Sequence, residues 1–436
     1  MATIAIFPYP WAADLNSSFG LARKLVLRGH RVRFVCLPDA ETRVRAQGFE
    51  FAPFLSPVFP LGTIEGIADA QARDAGGAPD SWLDRFRATC SALAEGELER
   101  VVSSLGADVL LISSWTPWIG IAASRLGIPV LNFSSTFLSV EDRLVPPFGT
   151  DIVPGRSPLW KLRTRLAWSR MFLGRRLLRT AVNVRPEMER LARAFRVPLE
   201  RIDFRVETWP RLRQPELVLC PREFDFPRAR DPEGACAVEA SIDRERRDVE
   251  FPWERLRDGP ALVYCSFGSV VTFKFRAEVS RLIQVLLDLL AMRPGLQGVV
   301  PIGRHIDPAG FRCPDNVVLV PEAPQLRLLA RARLMITHGG LTGVKEAIYH
   351  GVPMIVIPFF YDQPGNAARV VFHGLGRKAR LGRLDAGHLG NLVDGVMSTP
   401  SYDAAARSMS RVFADYERAA PAVEKIEEAI RGATRR

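Results

Sequence analysis

The 436-residue chain has few cysteines and no arrangement that would use them together. Cys36, Cys90, Cys220, Cys236, Cys265 and Cys313 are scattered and never closely paired. That spacing argues against a disulfide framework or a metal site and fits a reducing compartment, so the cytoplasm is the expected location. Long apolar runs are also missing. The longest charge-free stretch lies between Asp108 and Arg125. It is shorter than the roughly 18–20 residues a spanning helix needs, and Pro117 interrupts it. The start, MATIAIFPYPW, has no basic n-region and runs directly into a strand-like segment, so no signal peptide is expected. No low-complexity tract occurs, which leaves only loops and the final residues as candidates for disorder.

What is present is an ordinary globular composition, with 47% hydrophobic and 25% charged residues. At roughly 100–200 residues per domain, the length suggests two domains. The formal net charge of +11 allows a polyanionic partner. No zinc-finger spacing, RNA-binding aromatic signature or basic tail accompanies it, so nucleic acid is not expected. A phosphate-bearing ligand, an anionic membrane surface or a generally arginine-rich proteome accounts for the charge equally well.

Thr3 to Phe7 is a short apolar run, followed by the loop-like PYPWAADLNSS. Phe19, Leu21, Ala22, Leu25 and Leu27 then recur at helical spacing until Gly29, and Val32 to Leu37 is a second strand. Strand alternating with helix implies a parallel sheet covered on both faces. The pattern returns at Val109 to Ser113 and Pro129 to Ser134. Periodicity fades from Cys220 to Glu250, where Pro221, Pro227, Pro232 and Gly234 suggest a linker. A second alternating run follows, with strands at Ala261 to Phe267, Gly298 to Ile302, Val317 to Val320, Leu334 to Thr337 and Met354 to Ile357. Two doubly wound halves leave a ligand cleft between them, at the carboxyl ends of the strands.

The stretch from Glu322 to Val370 carries the clearest chemistry. A strand ends at Thr337, His338-Gly339-Gly340 makes a tight turn, and a helix from Thr342 to Tyr349 points its N-terminus back at that turn. Exposed N–H groups and the helix dipole suit a diphosphate there. His338 adds a donor, Glu346 suits a ribose diol, and Asp362 with Gln363 suits sugar hydroxyls.

Pro324, Gln325, His338, Gly340, Glu346, Gly351, Val352, Pro353, Pro358, Asp362 and Gln363 fall at the spacings of a known signature. The segment resembles that of UDP-dependent glycosyltransferases, including the plant secondary-product, antibiotic and carotenoid enzymes. The resemblance implies an α/β GT-B fold: two Rossmann-like doubly wound domains facing a cleft. It puts the acceptor domain at 1–225, the nucleotide-sugar domain at 226–415 and a helix crossing back to the first domain at 416–436. Gln325 would contact the base, His338, Gly340 and Thr342 the diphosphate, Glu346 the ribose, and Asp362 with Gln363 the hexose. Ser269, in the SFGS loop at 266–269, would lie near the phosphates. The donor expected is UDP-glucose, or a dTDP-sugar, with the nucleotide sugar as co-substrate and no cofactor or metal.

Three departures stand out. Glu322 replaces a tryptophan that stacks on uracil in the family. Thr342-Gly343 replaces Asn-Ser. The family's catalytic histidine falls at Ala13-Asp14, and its supporting aspartate near Ser113. His30 precedes the second strand, at the wrong end of the sheet to substitute. Asp14 is therefore the expected general base, as in some antibiotic enzymes of the family. It also suits the N-cap of a helix starting near Asn16 or Ser17.

Trp115, Trp118 and Phe137 are expected to line an acceptor pocket for a small lipophilic molecule. As core aromatics they would look the same in sequence. The basic helix through 159–179 carries a leucine stripe. It is expected to pack that stripe on the sheet with its basic rim solvated. Weak peripheral contact with an anionic membrane is the other reading. The functional expectation is inverting hexose transfer. Its alternatives are a non-catalytic nucleotide-sugar-binding partner and a UDP-N-acetylglucosamine epimerase of the same fold.

Overall fold

Runs such as Ile4-Ala5-Ile6-Phe7 have no polar face to offer water. Strands of this kind need cover on both sides, which parallel pairing with crossover helices provides. A computed structural model describes residues 1–64, 79–155, 159–177, 184–304 and 306–434.

In the first half, β1 (Thr3–Phe7), β2 (Arg31–Cys36), β3 (Glu50–Pro53), β4 (Val109–Ser113) and β5 (Val130–Ser134) pair in parallel. β6 (Ile202–Asp203) and β7 (Arg211–Leu212) form a small antiparallel pair apart from them. β8 (Glu216–Val218) and β9 (Ala235–Ala237) extend the sheet, giving the order β3-β2-β1-β4-β5-β8-β9. In the second half β10 (Ala261–Ser266), β11 (Leu296–Pro301), β12 (Val317–Val320), β13 (Ala332–Thr337), β14 (Met354–Val356) and β15 (Gly376–Lys378) are all parallel. Their order is β12-β11-β10-β13-β14-β15. In both sheets the order reverses beside the first strand, between β1 and β4 and between β10 and β13. Ligands of doubly wound sheets bind at such switch points, outside the carboxyl ends.

Three features depart from the sequence reading. The first sheet takes in β9, so it extends past the boundary drawn at 225. The stretch from Cys220 to Glu250 is also a packed joint, with Phe224, Phe226, Val238, Glu239 and Ala240 all buried. Third, the helix Leu159–Leu177 turns Thr164 and Trp168 inward and leaves Leu162, Leu166 and Leu173 54%, 53% and 55% exposed. Trp168 selects that face: its bulk is buried and its Nε1–H donates to the Val145 carbonyl at 2.9 Å. Leu178 and Arg179, which also belong to the expected stripe and its rim, lie outside the described residues.

The helix Pro400–Ala419 ends at Ala420, in the left-handed region at φ 48°. The next helix, Pro421–Thr434, then packs Ala422, Val423 and Ile426 into the core of the first domain, with Leu25 and Phe34.

Candidate functional site

The first half of the site grows from the carboxyl end of β1. After Phe7 the chain makes a short connection through Tyr9, and the helix Ala12–Leu27 begins at once. This is earlier than expected. Trp11 is the N-cap residue and contributes no side-chain bond, so Asp14 sits in the first turn and is not the cap.

Asp14 is only 3% exposed. Its Oδ2 accepts from the Tyr9 N–H at 2.7 Å, and its Oδ1 accepts from the Ser135 hydroxyl at 2.6 Å. Burial pushes the carboxyl up to about 6, opposed by the bonds from Ser135 and Tyr9 and by the Ser113 hydroxyl. Ser113 ends β4 and Ser135 follows β5, so both come from neighbouring strand ends. Two hydroxyls thus support the charge, one of them, Ser113, at the position where the resemblance implies a supporting aspartate. Three donors occupy three of the four lone-pair sites of the carboxylate, which leaves one for an incoming proton.

An aromatic cluster begins at Tyr9, whose backbone N–H holds this carboxylate. Tyr9 meets Trp11 edge-on at 5.1 Å and lies 6.3 Å from Trp115. Trp115 in turn reaches Tyr361 of the second domain at 5.7 Å. Trp115 is therefore where a pocket residue is expected. Trp118 is not: it is buried in the first domain's core against Phe86 and Trp209. Phe137 is not a pocket residue either. It packs on Phe224 and beneath the Arg369 guanidinium, 4.0 Å away.

The second half of the site stands at the β10/β13 switch point. His338 follows β13, and its Nδ1–H donates to the Ser266 carbonyl at 3.3 Å, at the end of β10. Glycines flank the ring. A Cβ on Gly268 (φ 69°) would lie 2.7 Å from the ring, and one on Gly340 would lie 2.5 Å from Nε2. Burial draws the imidazole down to about 4, so near neutrality it is uncharged. With the proton on Nδ1, the Nε2 lone pair is the free end of the ring.

Gly340 caps the helix Leu341–Tyr349, whose first N–H groups open beside His338. Thr342 stands in that first turn. Glu346, one turn on, is buried and doubly engaged: Oε1 accepts from Arg246 at 2.9 Å and Oε2 from the Gln325 amide. The Tyr264 hydroxyl donates to the other end of Gln325 at 3.0 Å. Ser269 is exposed at the start of the helix Ser269–Lys274. Glu322 is exposed too, paired with Arg304 at 2.8 Å.

Past β14, Asp362 is raised to about 6 by burial, against a bond from Asn366. The Gln363 carbonyl oxygen is committed to the N–H groups of Phe359 and Phe360, at 2.9 and 3.1 Å. That leaves its amide nitrogen as the end able to meet a ligand.

The two halves touch. The Thr342 hydroxyl lies 3.4 Å from the Ala13 carbonyl oxygen and 3.5 Å from the Ser17 hydroxyl. Asp14 and the His338 turn thereby belong to segments that are neighbours across the cleft.

Sequence reasoning missed Tyr9, Ser135, Arg246, Tyr361 and Asn366. Asn366 donates to both the Gly339 carbonyl and Asp362, each at 2.9 Å, and so ties the His338-Gly339-Gly340 turn to Asp362. Its place one helical turn after Asp362 was the available signal. Nothing local marks Ser135 or Arg246, which reach the site through the fold.

Residues 262–424 match the UDP-glucoronosyl and UDP-glucosyl transferase family. The chain is 24% identical over 386 residues to the zeaxanthin glucosyltransferase of Pantoea ananas, covering 87% of this chain and 85% of the relative. It is 26% identical over 388 residues to the oleandomycin glycosyltransferase of Streptomyces antibioticus, covering 86% and 79%. Among solved structures, the glycotransferase of kitacinnamycin superposes with a TM-score of 0.67 at 23% identity, over 98% of both chains. The glycosyltransferase VinC, solved in complex with DTDP, gives 0.67 at 17% identity over the whole of both. With the signature residues gathered at the two switch points, residues 262–424 match that family and the whole chain shares the two-domain GT-B fold of these glycosyltransferases.

Proposed function

We propose that the protein transfers a hexose, with inversion, from a nucleotide diphosphate sugar to a small lipophilic natural-product-like acceptor. UDP-glucose is the first donor to test and a dTDP-sugar the second. One observation carries the reading: a buried, hydroxyl-supported carboxylate and a glycine-flanked phosphate turn occupy the switch points of two facing sheets and meet at Ala13 and Thr342.

In this mechanism Asp14 accepts the proton of an acceptor hydroxyl or amine as that atom attacks the anomeric carbon. The bond from that carbon to the diphosphate oxygen breaks in the same step. The departing diphosphate gathers charge, which the helix N-terminus at Leu341 stabilises, together with His338 once Nε2 has taken a proton from solvent beside that charge. Asp362, the Gln363 amide and Asn366 would orient the hexose, and Gln325 with Glu346 would hold the nucleoside. The ring cluster of Tyr9, Trp11, Trp115 and Tyr361 supports an apolar, ring-bearing acceptor.

The test is transfer from UDP-glucose or a dTDP-sugar to a panel of polyketide, flavonoid and carotenoid alcohols. The wild type forms glycosides, and Asp14→Asn loses on the order of 10³-fold in kcat with donor affinity kept. Unchanged turnover in Asp14→Asn removes Asp14 as the base. Sugar epimerisation without any acceptor replaces the reading altogether.

A further inference from the structure

The helix Leu159–Leu177 presents a face that the catalytic account does not use. At 100° per residue, Leu162, Leu166 and Leu173 fall within a narrow sector opposite Thr164 and Trp168. The buried residues hold the helix to the domain, and the three leucines point outward, each more than half exposed. Arg163 and Arg170 run along one side of the leucine stripe and Arg165 along the other, with Lys161 further round on that side in the first turn. All four are exposed, and none makes an ion pair among the described residues. From Leu159 to Arg179 the sequence holds seven basic residues and no acidic one.

An apolar stripe edged on both sides by long cationic side chains matches a helix lying in a lipid interface. The leucines enter the acyl boundary and the cations reach phosphate level. The same charge argues against a second copy of the chain, because a symmetric contact would set like charges against each other. No helix among the described residues is long and apolar enough to cross a membrane.

The helix is also well placed for the cleft. Trp168 holds the Val145 carbonyl, and Glu207 holds the N–H groups of Phe148 and Gly149 at 2.6 and 2.7 Å. The Phe148 carbonyl then accepts from the Gly365 N–H at 2.7 Å, in the helix that begins beside Asp362. The segment 145–149 therefore spans from this helix to the rim of the cleft.

We propose that the face of Leu162, Leu166 and Leu173 docks on an anionic lipid bilayer and brings the cleft rim to the lipid surface, where a lipophilic acceptor is dissolved. The probe is the full-length protein sedimented with phosphatidylcholine vesicles, alone or mixed with phosphatidylglycerol. Binding is expected to the anionic vesicles only and to weaken with salt. Replacing Lys161, Arg163, Arg165 and Arg170 together with Glu weakens the partition coefficient on the order of 100-fold or more. Replacing Leu162, Leu166 and Leu173 with Ser weakens it on the order of 10-fold or more. Thermal unfolding and circular dichroism of both variants stay at wild-type values, which separates lost docking from lost folding.

Absence of binding to anionic vesicles overturns the proposal, and so does binding that survives both sets of substitutions. A wild-type dimer that the serine variant converts to monomer overturns it as well, since the face is then covered by a second copy.

Discussion

At the scale of single residues, the proposed mechanism makes Asp14 couple activity to stability. The fold raises its carboxyl from the usual range near 4 to about 6, chiefly through burial. A raised carboxylate is most compatible with the fold when protonated. Its cost is therefore absent below about pH 4, grows as pH rises towards 6 and is constant above. That rise corresponds to about 3 kcal/mol. Asp14→Asn removes that cost, with the amide donating to Ser135 and its oxygen accepting from Tyr9. The variant is expected to unfold at a higher temperature than wild type at pH 7.5 and at an equal one at pH 4. Wild-type kcat/KM should rise through about pH 6 and then level, and the residual activity of the variant should lack that limb. The position of Asp14 in the site was legible because a motif position survives when its residue type changes. Its supporters were not: Ser135 lies 121 residues away and reaches Asp14 only through the β4 and β5 pairing.

At the scale of elements, the donor half depends on close backbone approach. Gly268 lies at φ 69°, and a methyl there would press on the His338 ring, as would one at Gly340. Gly268→Ala and Gly340→Ala should each raise the donor KM at least 10-fold, because a displaced ring meets the diphosphate poorly, while acceptor KM stays within about two-fold. Initial rates varied in each substrate in turn give both values. Most strands here were readable. Val109 to Ser113 and Val317 to Val320 match the structure residue for residue, because a strand buried on both faces is a bounded apolar run. β9, Ala235–Ala237, was not readable, since three small residues among prolines carry no period. The helix at 159 was placed correctly but turned the wrong way. Hydrophobic spacing alone cannot tell a buried leucine stripe from an exposed one when tryptophans compete for the core.

At the scale of the whole molecule, the two domains are braced by buried charge. Arg369 is 1% exposed. Its Nε donates to Asp225 at 2.9 Å, its guanidinium lies over the rings of Phe137 and Phe226, and its Nη1 donates to the Gly365 carbonyl at 3.1 Å. Burial alone would raise the Asp225 carboxyl, but Arg369 and Arg228 outweigh it and hold the group below the usual range. Lys345 crosses the same joint, donating to the Leu219 and Ala240 carbonyls at 2.8 and 3.0 Å. Asp225→Ala strands Arg369 without its partner and should cost about 3–5 kcal/mol of stability in denaturant unfolding. The two-domain plan was visible in the sequence through its repeated strand–helix alternation. The joint was not, because its partners lie more than a hundred residues apart. The central claim is that the His338 turn holds a nucleotide diphosphate while Asp14 acts only on the acceptor. Calorimetric titration of UDP and dTDP into wild type, His338→Ala and Asp14→Asn tests it most directly. The account predicts saturable one-to-one binding of at least one diphosphate in wild type and Asp14→Asn, weakened at least 10-fold in His338→Ala. Binding that His338→Ala leaves intact, or no binding in the wild type, would contradict it.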